Sequence, residues 1–296
     1  MSRFTLFCGL TTVDIQHFVD EFPNSNQKIK TSEPEICVGG PAANAAITHS
    51  FLGANTHFAS VVGKNSFTGF VYDDFLQNRV KIIDFAENER CTPVVASIIT
   101  TVKNGDRAVI SHLPKLIVPS KKLTQSIDFS QCNMVVIDGF YPEITMEICD
   151  EAKKHAVPVI FDGGSWKPHT NNILQYVDIA ICSEQFMPPS CSNLHDVFNF
   201  LRDTGVEKIA ITRGEKSILW KDQHLEGTIE IENLNAIDSL GAGDVFHGAF
   251  AYFYGLGNNF QSALKFAASI ASFSTKYKGT RSWMEHYQSV CRNEKI

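Results

Sequence analysis

Late in the chain, Asp238-Ser239-Leu240-Gly241-Ala242-Gly243-Asp244 sets a carboxylate directly after three residues with almost no side chain. Val245, Phe246, Ala249, Phe250, Phe253 and Tyr254 follow at helical spacing, so the small-residue loop runs straight into a helix. Free N–H groups of a first helical turn, backed by the positive end of the helix dipole, make an anion site that glycines leave open to close approach. Asp244 at that end is either a capping or first-turn acid, stabilising the helix by ~0.5–2 kcal/mol, or a base held where an anion arrives. No Gly-x-x-x-x-Gly-Lys-Ser/Thr loop occurs, and Gly241-Ala242-Gly243 lacks the third glycine of a dinucleotide-binding turn.

Other chemistry-bearing residues lie far upstream. Asp14 follows the apolar run Phe4 to Leu10, so a buried first strand delivers a carboxylate at its carboxyl end, where ligands collect in open parallel sheets. Gly39-Gly40-Pro41-Ala42-Ala43-Asn44 opens a second helix, with Pro41 suited to a first turn and the alanines keeping the helix surface thin. Such a helix either faces a ligand or simply packs closely on a sheet. Asp162-Gly163-Gly164 ends another strand, its carboxylate either a ligand-side acid or a turn former. Phe140 and Tyr141 could stack on a ligand or be core aromatics, and His247, three residues after Asp244, reads as a packed or hydrogen-bonded imidazole.

The elements that must position these groups alternate. Strands at 134–137, 157–161, 177–181 and 209–212, with helices at 143–155 and 194–203, give the βαβ rhythm of an α/β protein with a mostly parallel sheet flanked by helices. Antiparallel edge strands are expected over 216–232, turning at Lys221-Asp222-Gln223, then helices 244–254 and 260–274 and a polar tail. Residues 15–36 read as a strand-and-turn insertion, and 93–112 as a hairpin reversing at Asn104-Gly105; together they could form a small β-sheet over the core. With 296 residues, 44% of them hydrophobic, and no interior linker or repeat, a single domain is expected. A net charge of −6 without charged blocks argues against nucleic acid or anionic membrane as a partner. The 8 cysteines form no Cys-x-x-Cys pair, and neither a signal peptide nor an 18-residue apolar run occurs, so a reducing cytoplasmic location is expected.

In their order, Asp14, Gly39-Gly40-Pro41-Ala42-Ala43-Asn44, Thr212-Arg213-Gly214 and Asp238 to Asp244 resemble the ribokinase-like, or PfkB-type, carbohydrate kinases over most of the chain. The resemblance implies transfer of the γ-phosphoryl group of ATP to a sugar hydroxyl, with Mg²⁺ and a monovalent cation as companions and a β-sheet lid at about 15–36 and 93–112. It implies that Asp244 is the base and that the amides of Gly241, Ala242 and Gly243 cradle the phosphoryl group. It also implies that Asp14, Gly39, Gly40 and Asn44, with Phe140, hold the sugar, and that Ser183, Thr212, Gly214, Gly241 and Gly243 meet the nucleotide. Lids of this kind have exposed strand edges through which a homodimer could form.

Gly-Gly-Pro-Ala-Ala and Gly-Ala-Gly-Asp-Val-Phe-His-Gly-Ala are nearest the ketohexokinase-like and sulfofructose-kinase-like branch, which implies a ketose such as fructose. Gly139-Phe140-Tyr141 stands where an arginine for a sulfonate is expected, which disfavours a sulfosugar. Lys28 and Arg107, on the two lid segments, are either solvated or meet an anionic substituent. Ser183-Glu184-Gln185-Phe186 departs from the family's Asn-x-x-Glu, leaving Glu184 as the metal-side carboxylate, and Ser217 replaces a common glycine. A nucleoside kinase and a sugar-binding regulator without turnover are the competing expectations.

Overall fold

The computed structural model describes residues 3–103, 105–113, 123–232 and 236–293. Its strands are β1 (Phe4–Cys8), β2 (Thr12–Val19), β3 (Glu35–Gly39), β4 (Thr56–Ser60), β5 (Val80–Asp84), β6 (Val95–Thr101), β7 (Arg107–Ile110), β8 (Cys132–Ile137), β9 (Val159–Gly163), β10 (Ile179–Ser183), β11 (Lys208–Arg213), β12 (Lys216–Lys221) and β13 (Glu226–Ile229). The helices are α1 (Pro41–Phe51), α2 (Thr68–Gln77), α3 (Pro142–Lys154), α4 (Thr170–Leu174), α5 (Leu194–Asp203), α6 (Ala242–Gly255), α7 (Phe260–Ser274) and α8 (Trp283–Asn293).

Nine strands form the main sheet, in the order β13-β12-β11-β10-β9-β8-β1-β4-β5. All neighbours from β11 to β5 run parallel, while β12 and β13 add antiparallel pairs at one edge. β1 and β9 are buried along their whole length because helices cover both faces, and their sequences FTLFC and VIFDG are correspondingly apolar. One face packs α1, α2, α6, α7 and α8 through residues such as Ile47, Phe75, Phe250, Leu264 and Trp283; the other packs α3, α4 and α5 through Ile148, Leu174 and Leu201. Local signals agree with the ends: the Asn193 and Asn259 side chains cap α5 and α7 by accepting N–H bonds from Asp196 and Ser262. The turn expected at Asp222 is present, its carboxylate accepting the N–H groups of His224 and Leu225 at 2.8 and 2.7 Å.

The second sheet has the order β3-β2-β6-β7. β2 starts at Thr12, earlier than the insertion expected from residue 15, and residues 20–34 hold neither strand nor helix. β6 and β7 form the expected hairpin, with Gly105 at φ +69°; Asn104 lies outside the described residues. The polar tail is a misreading. Residues 283–293 form α8, because Trp283, Met284 and Tyr287 make a narrow apolar stripe among polar residues, and Trp283 is fully buried against Phe51. Among the described residues no helix is long and apolar enough to cross a membrane.

Candidate active site

Small residues bring two helix starts together. In α6, a Cβ on Gly248 would stand 2.2 Å from the Ala45 carbonyl oxygen of α1, so glycine there lets the two helices touch backbone to backbone. The contact brings Asn44, in the first turn of α1, to Asp244, in the first turn of α6, with Asn44 Nδ2 donating to Asp244 Oδ2 at 2.7 Å. At the start of α1, Gly40 has φ +102°, and a Cβ would lie 2.2 Å from the Leu10 carbonyl. Gly39 is equally constrained, since its Cβ would fall 2.0 Å from Asp14 Oδ2. These glycines place a buried carboxylate beside backbone with no room for another side chain.

Gly241 precedes α6 in the left-handed region at φ +70°, turning the loop into the helix. Ala242 N–H bends back to the Ser239 carbonyl at 3.3 Å, whereas those of Gly241 and Gly243 donate to no acceptor among the described residues. Of the three amides singled out in the sequence, two therefore remain open. Asp238 is buried and shapes the loop, accepting the N–H groups of Leu240 and Gly279, each at 2.9 Å.

Asp244 is half-buried and faces three other acids. Burial, then the charges of Asp162, Asp14 and Asp138, push its pKa up to about 8, against the pull of the Asn44 bond. It keeps some exposed surface, so a cation arriving there favours the ionised form. Asp14 is also raised by burial, while the Thr12 hydroxyl at 2.5 Å and the charge of Arg281 pull it down. Asp138, pushed up to about 6 by burial, accepts N–H groups from Leu10, Ala42 and Phe140, so it pins the end of β1 and the start of α1. Asp162, at the end of β9, lies 3.5 Å from His247 Nδ1. The His247 ring is buried with its nitrogens against the Gly243 and Ile181 carbonyls, at 2.8 and 3.2 Å, which is the hydrogen-bonded role expected of it.

Thr212, Gly214, Ser183 and Glu184 gather at the carboxyl edge of the main sheet. Thr212 lies in β11 with Gly214 just beyond its end, Ser183 ends β10, and α6 is joined to β10 where His247 reaches the Ile181 carbonyl. Glu184 donates its N–H to the Thr212 carbonyl and extends an exposed carboxylate toward Lys216, 3.6 Å away. Ser217 does not crowd this loop: Arg213 clasps its carbonyl and hydroxyl at 2.6–3.0 Å. The half-buried Phe140 has Lys167 Nζ 4.3 Å from its ring centroid, so one of its faces is taken. Arg107 donates to the Ser239 hydroxyl at 2.6 Å and so joins the second sheet to the glycine loop; Lys28 is exposed.

Residues 279–281, within the stretch read as a polar tail, were missed. Thr280 Cγ2 would stand 2.8 Å from a Cβ on Gly241, and Arg281 donates to Asn44 Oδ1 at 2.9 Å and to the Val38 carbonyl at 2.7 Å. Only the burial of Trp283 in the following helix could have drawn attention to them.

A family model described as pfkB family carbohydrate kinase matches residues 3–286. The deoxyribokinase of Salmonella typhi is 24% identical over 93% of this chain and 93% of its own length. Ketohexokinase of Mus musculus is 21% identical over 90% of this chain and 94% of its own. The solved structure of Arabidopsis thaliana ribokinase, complexed with ribose and ATP, superposes with a TM-score of 0.75 at 20% identity, covering 96% of this chain and 98% of that one.

Proposed function

The chain belongs to the pfkB family of carbohydrate kinases, and on that premise we propose that it moves the γ-phosphoryl group of ATP to a hydroxyl of a small sugar with Asp244 as the base. The observation that carries this reading is the first turn of α6. A carboxylate fixed by Asn44 stands beside the open amides of Gly241 and Gly243.

Asp14, the backbone at Gly39 and Gly40, and the second amide proton of Asn44 offer acceptors and donors to sugar hydroxyls, with Phe140 at the rim. The acceptor oxygen attacks the γ-phosphorus as the bond to the ADP oxygen breaks. Its proton passes to the Asp244 carboxylate, while the open amides face the oxygens of the transferring group. A loose phosphoryl transition state places little charge on the nucleophile early, so the base acts late. A pKa near 8 makes Asp244 a stronger acceptor than a solvent-exposed carboxylate of ordinary pKa, about 4, at the cost of holding a proton at neutral pH. Thr212, Gly214 and Ser183 are placed to meet the nucleotide.

Glu184 fits Mg²⁺ arriving with the phosphates: it offers one exposed carboxylate, and no group of three or more ligating side chains occurs among the described residues to cage a metal. The ion would neutralise charge on the phosphates. Replacing Glu184 with Gln is expected to raise the Mg²⁺ concentration needed for half-activity, and exchanging K⁺ for tetramethylammonium reads any monovalent-cation dependence. The second sheet acts as the lid. Its outer strands expose Ile36, Val109 and Ile110, which supports pairing of two copies through the lids, read by sedimentation.

The acceptor is assigned by following ADP formation with fructose, ribose, 2-deoxyribose and a nucleoside, with Asp244→Asn as control. The control is expected to lose about 10²–10⁴-fold in turnover. Near-native turnover in that variant overturns the mechanism, and tight sugar binding without ADP formation across the panel replaces it with a binding protein.

A further inference from the structure

We propose that Arg281 is a positioning residue that fixes which end of the Asn44 side chain meets Asp244, and so sets the readiness of the base. The inference deepens the kinase reading and rests on Asp244 being that base. An asparagine amide has an acceptor end and a donor end of almost the same shape, and its partners decide which way it turns. A guanidinium only donates. Arg281 Nη1 meets the Asn44 amide at 2.9 Å, so the oxygen must face Arg281 and the nitrogen must face Asp244, where it donates at 2.7 Å. Asn44 is buried, with 4% of its surface exposed, so water is poorly placed to replace either partner. Arg281 is itself held by the Val38 carbonyl at 2.7 Å and the Thr280 hydroxyl at 3.1 Å, which fixes the fork.

The neighbours of Asp244 make that single donated bond matter. Asp162 from β9, Asp14 from β2 and Asp138 just after β8 all oppose a negative charge on it, and His247 from α6 is engaged with Asp162 and two carbonyls. Asn44 is the neutral group that favours the carboxylate form. With Arg281 gone, the amide is free to turn its oxygen toward Asp244, which suits a protonated carboxyl and repels a carboxylate.

The test uses the full-length protein with Arg281→Met, which keeps the stem and removes every donor, together with Arg281→Lys, Asn44→Ala, both double variants and Asp244→Asn. Arg281→Met is expected to move the acid limb of kcat/KM upward by about one pH unit, costing about tenfold at neutral pH and recovering at high pH. Arg281→Lys, which keeps one donor, falls between. Added to Asn44→Ala, neither change at 281 should lower activity further, because the route through Asn44 is already cut. A loss that is flat across pH, or that multiplies with Asn44→Ala, overturns the relay and leaves Arg281 a structural clamp. If Arg281→Met does not fold, Arg281→Lys and its double variant decide the same question. An active Asp244→Asn would instead sink the base reading, whereas an inactive one beside an unshifted Arg281→Met would sink the relay alone.

Discussion

Gln16 and Asp238 are 222 residues apart in the chain and hydrogen-bonded at 2.9 Å, both buried. Gln16 projects from β2 of the second sheet; Asp238 begins the loop that leads into α6. The same amide nitrogen donates to the Thr100 hydroxyl of β6 at 2.8 Å, so one side chain ties two strands of the second sheet to the glycine loop. The second sheet, proposed to close over the sugar, and the loop proposed to face the phosphoryl group are thereby joined. Replacing Gln16 with Leu keeps the bulk and removes the bond to a buried carboxylate. Hydrogen bonds to charged groups contribute about 1.5–3 kcal/mol, so kcat/KM for the sugar is expected to fall about tenfold or more, with KM for ATP changing far less. Equal effects on both substrates, measured by steady-state kinetics, would contradict a role for this bond on the sugar side.

Asp244 should make the free protein less stable as pH rises. Its folded pKa of about 8 lies above the ordinary carboxylate value near 4, so the folded state holds a proton that the unfolded chain has lost across that window. The stability contributed by the protonated form is complete below about pH 4 and is lost as pH climbs through about 8. Asp244→Asn removes the charge and keeps the shape. Without ligands it is therefore expected to melt near the wild-type temperature at pH 5 and on the order of 3 °C above it at pH 9. Thermal unfolding of both proteins at the two pH values checks this, and a gap that shrinks toward pH 9 contradicts the environment assigned to Asp244.

The same burial explains what could and could not be read from the chain. The main-sheet strands from β8 to β11 stood out because strands covered on both faces need unbroken apolar runs, and the starts of α1 and α6 stood out because close approach demands Gly and Ala. Arg281 gave no such signal. Its importance comes from Asn44, 237 positions earlier, and nothing local marks a residue whose partner is set by the packing of α1 against α6. α8 was hidden for a different reason: Trp283, Met284 and Tyr287 are few among polar neighbours, and burial of one large ring holds the helix where a broad apolar face would be expected. The open amides of Gly241 and Gly243 could be anticipated as a set of three, but which one turns back to Ser239 depends on loop geometry.

Gly248 should prove as important to activity as residues that touch substrate. A Cβ there meets the Ala45 carbonyl oxygen at 2.2 Å and Thr48 Cβ at 2.7 Å, and a backbone carbonyl in a helix has no rotamer by which to retreat. Gly248→Ala must therefore push α1 and α6 apart. Overpacking of a tight core contact costs about 1–3 kcal/mol, seen as a lowered melting temperature. The larger effect is local, because Asn44 and Asp244 sit on the two helices being separated and their 2.7 Å bond is the first to lengthen. Gly255→Ala, in the same helix, is the control: its Cβ would approach only the flexible end of Met134, Cε at 3.1 Å, which can shift. The expected result is a loss of kcat of about tenfold or more in Gly248→Ala at temperatures where it remains folded, against a small change in Gly255→Ala. Equal turnover in the two variants would show that the helix spacing leaves the Asn44–Asp244 bond untouched.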